Sequence, residues 1–297
     1  MRIKLILVLT LSSFKLFASP QVPDYIIYKG DTIVTYNLIL EKYLQSQEKI
    51  ASDKLFGLSF RSSDNGGFST NCWRGYQAIY KIQNDSLFLV NIINCGDFYG
   101  KKEINSAAST EKMKAIFTDK VVNNRVFITW FSGDLNFPIS KKILRWDGVF
   151  YKIYERETVI TILDGNLIKV QDVNNYIHDP KSIDRRDKSK ISDIMFKKLK
   201  KVKWADIDTF DCSDKYLVTI NEDGKVSKVA MPEYQSDDSI DKYWDRDEYN
   251  YCIKNIFNAL SKLKFDIIKD KGKPISEVIY LQLWFDDKKG KIENWTR

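Results

Sequence analysis

Short apolar runs separated by polar turns predict strands through the first half of the chain. The run at 25–28 precedes a tight turn at 29–31, and the run at 76–82 alternates apolar with polar residues. Asn84-Asp85 is one of several Asn, Asp and Gly turns between such runs. Short strands joined in this way are typical of an antiparallel meander. One helix is expected to interrupt the meander, at 110–118.

The pattern changes to helical spacing in the last third of the chain. Apolar residues three and four positions apart predict a helix from about 191 to 202 and a stronger one from about 248 to 263. A hairpin that turns at 221–226 lies between the two helices, and a closing strand is expected at 279–285. This order predicts a small α+β unit in which helices pack on a sheet.

The first 19 residues have the layout of a secretory signal peptide. A basic start, Arg2 and Lys4, precedes an apolar run from Leu5 to Leu11, and a small-residue end follows at Ala18-Ser19. The run is shorter than the roughly 20 apolar residues that span a bilayer. We therefore expect cleavage after Ala18 or Ser19, export to the periplasm or cell envelope, and no transmembrane span in the mature chain.

Together these patterns predict an α+β fold with an N-terminal antiparallel β-meander domain and a C-terminal α+β domain. A polar, Asn-, Asp- and Lys-rich stretch predicts the linker between them. The predicted segments are a signal peptide at 1–19, a β-rich domain at 20–175, a linker at 176–188 and an α+β domain at 189–297.

Net charge argues against a nucleic-acid partner. The formal charge of +7 falls to +4 when Arg2, Lys4 and Lys15 leave with the signal peptide. A nucleic-acid binder usually carries a concentrated basic face. Five lysines between 197 and 203 do cluster on the first C-terminal helix, where they either touch anionic lipid headgroups or form its solvated face.

The four cysteines predict two disulfides and no metal site. An even count in an exported chain favours disulfides, and four cysteines allow three pairings. Their spacing separates an early pair from a late pair, which favours Cys72–Cys95 and Cys212–Cys252. A zinc site would need cysteines two to four residues apart, and the chain has none.

No catalytic constellation and no cofactor motif is predicted. His178 is the only histidine and lies in the polar linker, where a solvated side chain is expected. A serine or cysteine hydrolase needs a histidine held by a neighbouring element. Two alternatives stay open: a carboxylate-dependent hydrolase of envelope glycans that uses acids such as Asp134 or Glu155, and a small-ligand binder in the β domain.

The segment Cys72-Trp73-Arg74-Gly75-Tyr76 permits two interpretations. Arg74 beside two aromatic residues is able to hold a ligand by stacking and hydrogen bonds. The structural alternative is a disulfide knot at the start of a strand, and this alternative is favoured. A likeness to exported proteins of Gram-negative envelopes rests on this segment and on 28–32, and it implies no activity.

The C-terminal part resembles the C-terminal domain of TonB-type energy transducers. The resemblance rests on the hairpin strand at 216–220, its turn at 224–226, the helix around 253–260 and the Gly272-Lys273-Pro274 step before the last strand. It implies a domain that binds an extended partner segment by adding a strand to its sheet edge. Energy coupling is not implied, because the chain has only six prolines and no proline-rich spacer.

The closing strand supplies the candidate partner-binding residues. Its alternation places Ile279, Leu281, Leu283 and Phe285 toward the core. The opposite face then carries the residues predicted to bind an envelope protein or peptide, which are Val278, Tyr280, Gln282 and Trp284. Exposed aromatic residues are favoured at binding hot spots, although the first helix covering this face is an equal alternative. The predicted protein is therefore non-enzymatic, and its oligomeric state is left open.

Overall fold

A computed structural model describes residues 21–47, 71–72, 74–98, 103–286 and 291–296 of the 297-residue chain. The predicted signal peptide and Trp73 lie outside these residues. The fold is mixed α+β, in which strands predominate over helices, at 41% against 23% of the residues. The chain divides into two compact units: one comprises residues up to Ile128 together with 146–151, and the other comprises 129–145 and 152–297.

Hairpins form most of the described sheet of the first unit. Its strands are β1 Asp24–Tyr28, β2 Asp31–Thr35, β3 Tyr76–Gln83, β4 Ser86–Asn94, β5 Val121–Val122 and β6 Arg125–Phe127. The hairpins β1–β2 and β3–β4 are antiparallel, as are the pairings of β6 with β4 and with β5. However, β1 runs parallel to β3, so this unit is not a purely antiparallel meander.

Within the described part of this unit, the helices α1 at Ile39–Ser46 and α2 at Ser106–Phe117 accompany the sheet. The α2 helix begins four residues earlier than its apolar spacing predicted, because the Asn105 side chain accepts a hydrogen bond from the Ala108 N–H and caps it. Ser109, in its first turn, accepts the N–H of Ile92 on β4 and so ties the helix to the sheet.

The described strands of the second unit fall into four groups. They are β7 Gly133–Pro138, β8 Ile143–Trp146, β9 Lys152–Tyr154, β10 Arg156–Leu163, β11 Asn166–Asn174, β12 Tyr176–Ile177, β13 Lys215–Ile220, β14 Val226–Ala230, β15 Ile267–Asp270, β16 Lys273–Pro274, β17 Glu277–Asp286 and β18 Lys291–Asn294. Their orders are β7-β10-β11, β8-β9, β12-β15-β16 and β14-β13-β17-β18. We call the last group the C-terminal sheet.

Three helices belong to the C-terminal part of this unit: α3 Ile191–Leu199, α4 Ile240–Tyr243 and α5 Arg246–Leu260. The Asp245 side chain caps α5 by accepting the N–H groups of Asp247 and Glu248, each at 3.0 Å. The acidic residues at this end of the helix also complement the positive end of its dipole. The predicted helix, hairpin, helix and strand are present among the described residues, and α4, β15, β16 and β18 are additional.

The helices bury one face of the C-terminal sheet. Met195 and Leu199 of α3 and Ile256 and Leu260 of α5 are fully buried in one core cluster with Val218 of β13. On each helix, the buried apolar residues are three to four positions apart. On each strand, they are two positions apart, and the two sets pack against each other in one core. The sheet therefore has one covered face and one face turned away from the helices.

The predicted linker at 176–188 lies inside the second unit. Tyr176–Ile177 forms β12, which pairs with β15, and Arg185 is completely buried. The division between the two compact units therefore falls elsewhere in the chain. Polar composition gave the appearance of a linker, although several of its polar side chains bind residues of distant segments, such as Asp266 and Glu277.

Both disulfides are present with the predicted pairing. Cys72 is bonded to Cys95 in the first unit, and Cys212 is bonded to Cys252 in the second. Cys252 is completely buried on α5, whereas Cys212 precedes β13. The second bond thus joins a helix to the start of a sheet strand, across the core of the C-terminal part.

Candidate functional site

The predicted partner-binding residues lie on the face of β17 that is turned away from the helices. The exposed fractions of Val278, Tyr280 and Trp284 are 48%, 37% and 46%, while Gln282 is half-buried. In contrast, Ile279, Leu281 and Leu283 are almost fully buried in the core. The predicted alternation is therefore confirmed, and α3 covers the other face. The binding role of these residues stays a prediction.

A second tryptophan extends this exposed face. Trp295 stacks on Trp284 with their ring centroids 5.0 Å apart and an interplanar angle of 23°. Its indole N–H lies 3.3 Å from the Glu293 carboxylate, and its side chain is 45% exposed. Sequence reasoning missed Trp295 because it missed β18. The polar run 286–290, which ends in glycine, was the turn signal that could have predicted a further strand.

The edge of the sheet belongs to β18 rather than to β17. β18 pairs with Leu283–Asp286 of β17, so this half of the predicted closing strand is interior to the sheet. The N–H of Trp295 donates to the carbonyl of Gln282 at 2.8 Å. Because main-chain groups alternate along a strand, those of Ile292 and Asn294 point away from β17. No described residue bonds to these groups, which leaves a short open edge.

A groove with a volume of about 830 Å³ runs beside β18. Aromatic side chains of Phe196, Trp204 and Phe285 contribute to its apolar lining. Three lysines also line it: Lys200 at the end of α3, Lys203 just beyond that helix, and Lys291 at the start of β18. The groove therefore combines apolar surface with positive charge next to an open strand edge.

Glu277 fixes the opposite end of β17. Its carboxylate accepts two hydrogen bonds from Arg145, at 2.5 and 2.7 Å, and one from Arg185 at 2.9 Å. Lys188 lies 3.4 Å away. Burial by itself raises the pKa of Glu277, but the hydrogen bonds and charges of the two arginines outweigh it and lower the pKa to about 2. This end of the strand is held by a largely buried ionic cluster.

A second polar cluster surrounds the buried carboxylate of Asp266. The Tyr176 hydroxyl lies 2.5 Å from it, the His178 Nδ1 atom lies 2.8 Å from it, and the main-chain N–H of Asp179 donates to it. Burial and the two nearby carboxylates, Asp266 and Asp184, raise the pKa of Tyr176 well above its ordinary value. The cluster ties the predicted linker to the C-terminal part of the unit.

His178 is bonded to the protein, not only to water as the linker interpretation implied. Its side chain is 47% exposed, and Asp266 is its one described partner. No serine, threonine or cysteine among the described residues bonds to its ring. A histidine and an acid without an adjacent nucleophile do not make the triad that acyl transfer requires.

Neither acid named for the hydrolase alternative faces the other. Asp134 on β7 accepts the Thr161 hydroxyl, whereas Glu155 binds Arg186 at 3.2 Å. Because Asp134 pairs with Thr161 and Glu155 precedes Thr161 by six residues, the two acids are separated by roughly 20 Å along β10. The two-carboxylate mechanism needs a separation of about 5 to 10 Å.

The acid that stands out in this region is Glu157, which the sequence analysis did not select. It is fully buried, and it accepts hydrogen bonds from the Asn175 amide at 2.7 Å and from the Tyr154 N–H. The pKa of Glu157 is raised. Burial is the largest cause of this shift, and the hydrogen bonds partly oppose it. Because it has no exposed surface, Glu157 stabilises the strand junction rather than presenting a carboxyl group to solvent.

In the first unit, the geometry of Arg74 agrees with the structural interpretation of its segment. Arg74 is 1% exposed, binds both carboxylate oxygens of Asp24 at 3.0 Å, and donates to the carbonyl of Val22. Tyr76 and Tyr80 are also fully buried and fill the interior of this sheet. The arginine is therefore engaged by the protein itself and is not presented to a ligand.

Comparison with protein-family models, with curated proteins and with solved structures finds no match to this chain. Across the part of the chain that the structure describes, no helix has both the length and the apolar character needed to cross a membrane. The most distinctive parts of the candidate site are the open edge of β18, the adjoining groove and the exposed aromatic face of the C-terminal sheet.

Proposed function

We propose that this protein is a non-enzymatic protein of the cell envelope that binds an extended segment of another envelope protein or peptide. The open edge of β18 is the observation that carries the proposal. A partner strand placed there meets the free main-chain groups of Ile292 and Asn294, and such hydrogen bonds provide affinity in strand addition. The resemblance of the C-terminal part to the TonB C-terminal domain supports the same mode of binding.

An added strand has two surfaces to recognise. Because side chains alternate between the faces of a strand, every second residue of the partner enters the groove beside β18. The remaining residues lie on the outward face, next to Trp295 and Trp284. In this proposal the outward contact surface also includes the predicted residues Val278, Tyr280, Gln282 and Trp284. The aromatic rings among them are its anchors.

An exported location is part of the proposal. Disulfides form and persist in oxidising compartments, and both disulfides of this chain are consistent with a periplasmic or envelope environment. The predicted signal peptide at 1–19 supports the same location. The segment that binds is accordingly expected in a protein or peptide that reaches that compartment.

A single main-chain change tests the strand edge. A library of displayed twelve-residue peptides is selected against the chain that begins at Pro20, and the selected peptides are measured against Asn294→Pro. Proline removes the outward N–H of Asn294 while leaving the residues that pair with β17, so we expect at least a tenfold loss of affinity.

Asn294→Ala is the matched control. It removes the hydrogen bond from the Asn294 side chain to Asp193 but keeps the main-chain N–H, so binding is expected to persist. Circular dichroism and the urea midpoint establish that both variants are folded. Selected peptides that bind Asn294→Pro as tightly as the unchanged protein would contradict binding at this edge.

A further inference from the structure

The groove beside β18 carries an unbalanced positive charge. Lys200, Lys203 and Lys291 line it, and none of the three forms an ion pair with a described residue. The Lys200 ammonium lies 5.0 Å from the centroid of the Phe196 ring, so even this lysine contacts an aromatic face rather than an acid. Glu293 is the one acid in the lining, and its carboxylate bonds to the Trp295 indole.

Apolar surface lies between these charges. Phe196 is 7% exposed in α3, and Phe285 and Trp204 are packed at the margin of the core. The Trp204 indole N–H is satisfied by the carbonyl of Leu199 at 3.2 Å, which fixes its ring in the groove wall. A ligand that fits must therefore present apolar groups to this wall and negative charge to the lysines.

We infer that the groove selects an acidic extended peptide, and this inference rests on the proposed strand addition. Carboxylate side chains of the peptide face the lysines, and its apolar side chains face the aromatic wall. The open main-chain groups of Ile292 and Asn294 border the same groove. They match the donors and acceptors of a peptide backbone, whereas an acyl chain offers them no hydrogen-bonding partner. The edge and the charge together therefore favour a peptide over an anionic lipid.

Alternation sets the pattern that the peptide must carry. Successive residues on one face of a strand are about 6.8 Å apart, so a strand along β18 directs about every second side chain into the groove. The acidic positions are expected among these. Lysine–carboxylate pairs at a partly exposed site are individually weak, but several acting together discriminate sharply against a basic peptide.

The test compares two labelled peptides with the chain that begins at Pro20. One ten-residue peptide carries glutamate and valine in turn at every second position, with threonine between them, so that both residue types lie on one face of the strand. The other peptide has lysine in place of each glutamate. Fluorescence anisotropy at low salt is expected to show at least tenfold tighter binding of the glutamate peptide, with the difference shrinking as salt screens the charges. Equal binding of the two peptides would overturn the inference.

Two double variants locate the charge. The first double variant reverses the charge in the groove and combines Lys200→Glu with Lys203→Glu. The second is the control and combines Lys197→Glu with Lys201→Glu, which changes exposed lysines that do not line the groove. We expect the first pair to lose at least tenfold in affinity for the glutamate peptide and the second to lose less than threefold. Equal losses would mean unspecific attraction and would overturn the inference.

A vesicle arm distinguishes the lipid alternative. Vesicles with about one-third phosphatidylglycerol are titrated against the same variants. Lysine-dependent binding to vesicles without binding to the glutamate peptide would overturn the inference and point to a membrane. If library-selected peptides bind in a manner that depends on Asn294 but carry no acidic preference, this inference fails while the proposed function stands. If no peptide depends on Asn294, the proposed function fails as well.

Discussion

The two ends of β17 are stabilised in different ways. At its start, Glu277 is held by Arg145 and Arg185 in a largely buried ionic cluster. At its far end, the N–H groups of Leu283 and Phe285 donate to the segment just before β13, and β18 pairs along the other side. Ion pairs hold one end of the strand, whereas the other end lies beside the open edge of β18. A strand anchored at one end is well suited to present a binding surface at the other.

Each end requires a different kind of interaction. Charged groups are costly to bury unless every partner is satisfied, so the Glu277 cluster specifies one arrangement of three distant segments. The Trp284 end contains no such cluster among the described residues, and the Cys212–Cys252 bond lies beside it instead. A covalent bond fixes the start of β13 without placing charge next to the groove. The positive lining thereby stays available to a ligand.

The largest expected effect is the loss of the Cys212–Cys252 disulfide. This bond spans 40 residues, and loop-closure entropy for a loop of that length corresponds to about 4 kcal/mol. Replacing both cysteines with alanine is therefore expected to lower the free energy of unfolding by about 2 to 4 kcal/mol, measured by urea titration. A loss below about 1 kcal/mol would show that the Trp284 end does not depend on this bond.

Glu277→Gln is expected to lower the free energy of unfolding by about 3 kcal/mol at neutral pH, because it removes the charge that holds the start of β17. The pKa of Glu277 is about 2 in the folded protein, against an ordinary value of 4.5. Because the folded-state pKa is the lower one, the stabilisation is complete above pH 4.5 and is lost as the pH falls toward 2. The two proteins should therefore converge in stability over that pH range, as measured by urea titrations.

The exposed Glu222, in the turn between β13 and β14, gives the control for this prediction. Glu222→Gln is expected to change the free energy of unfolding by less than about 0.5 kcal/mol. A constant difference between the unchanged protein and Glu277→Gln from pH 5 to pH 2 would contradict the ionic account of this end.

The smallest effect on stability is expected on the outward face. Tyr280→Ala together with Trp284→Ala should cost little folding free energy, because both side chains are exposed. The same change is expected to weaken peptide binding about tenfold if the face contacts the partner. Tyr243→Ala removes an exposed aromatic ring on α4 and should leave binding intact. Unchanged affinity in the double variant would remove the outward face from the site.

Much of the local structure was predictable because it follows from short-range rules. The two faces of β17, the buried stripe of α5 and the Asp245 cap each depend on residues within a few positions of one another. The two disulfides followed from spacing alone. These features need only the periods of strands and helices and the preferences of helix ends.

The remaining features depend on contacts that are distant in the sequence. Arg145 and Glu277 are 132 residues apart, so nothing in the local pattern identifies them as partners. Polar residues at 176–188 gave the appearance of a solvated linker, although Arg185 is buried by groups from other segments. The edge strand β18 was missed because it is only four residues long and its alternation is brief. That omission placed the predicted edge on β17, one strand too far inward.

The most direct test of the open edge is amide hydrogen exchange at β18. The amides of Ile292 and Asn294 point away from β17, so we expect them to exchange faster than the paired amides of Glu293 and Trp295 in the free protein. A selected peptide at saturating concentration should slow exchange at Ile292 and Asn294 by at least tenfold. Slowing confined to other parts of the chain, with these two amides unchanged, would contradict strand addition at β18.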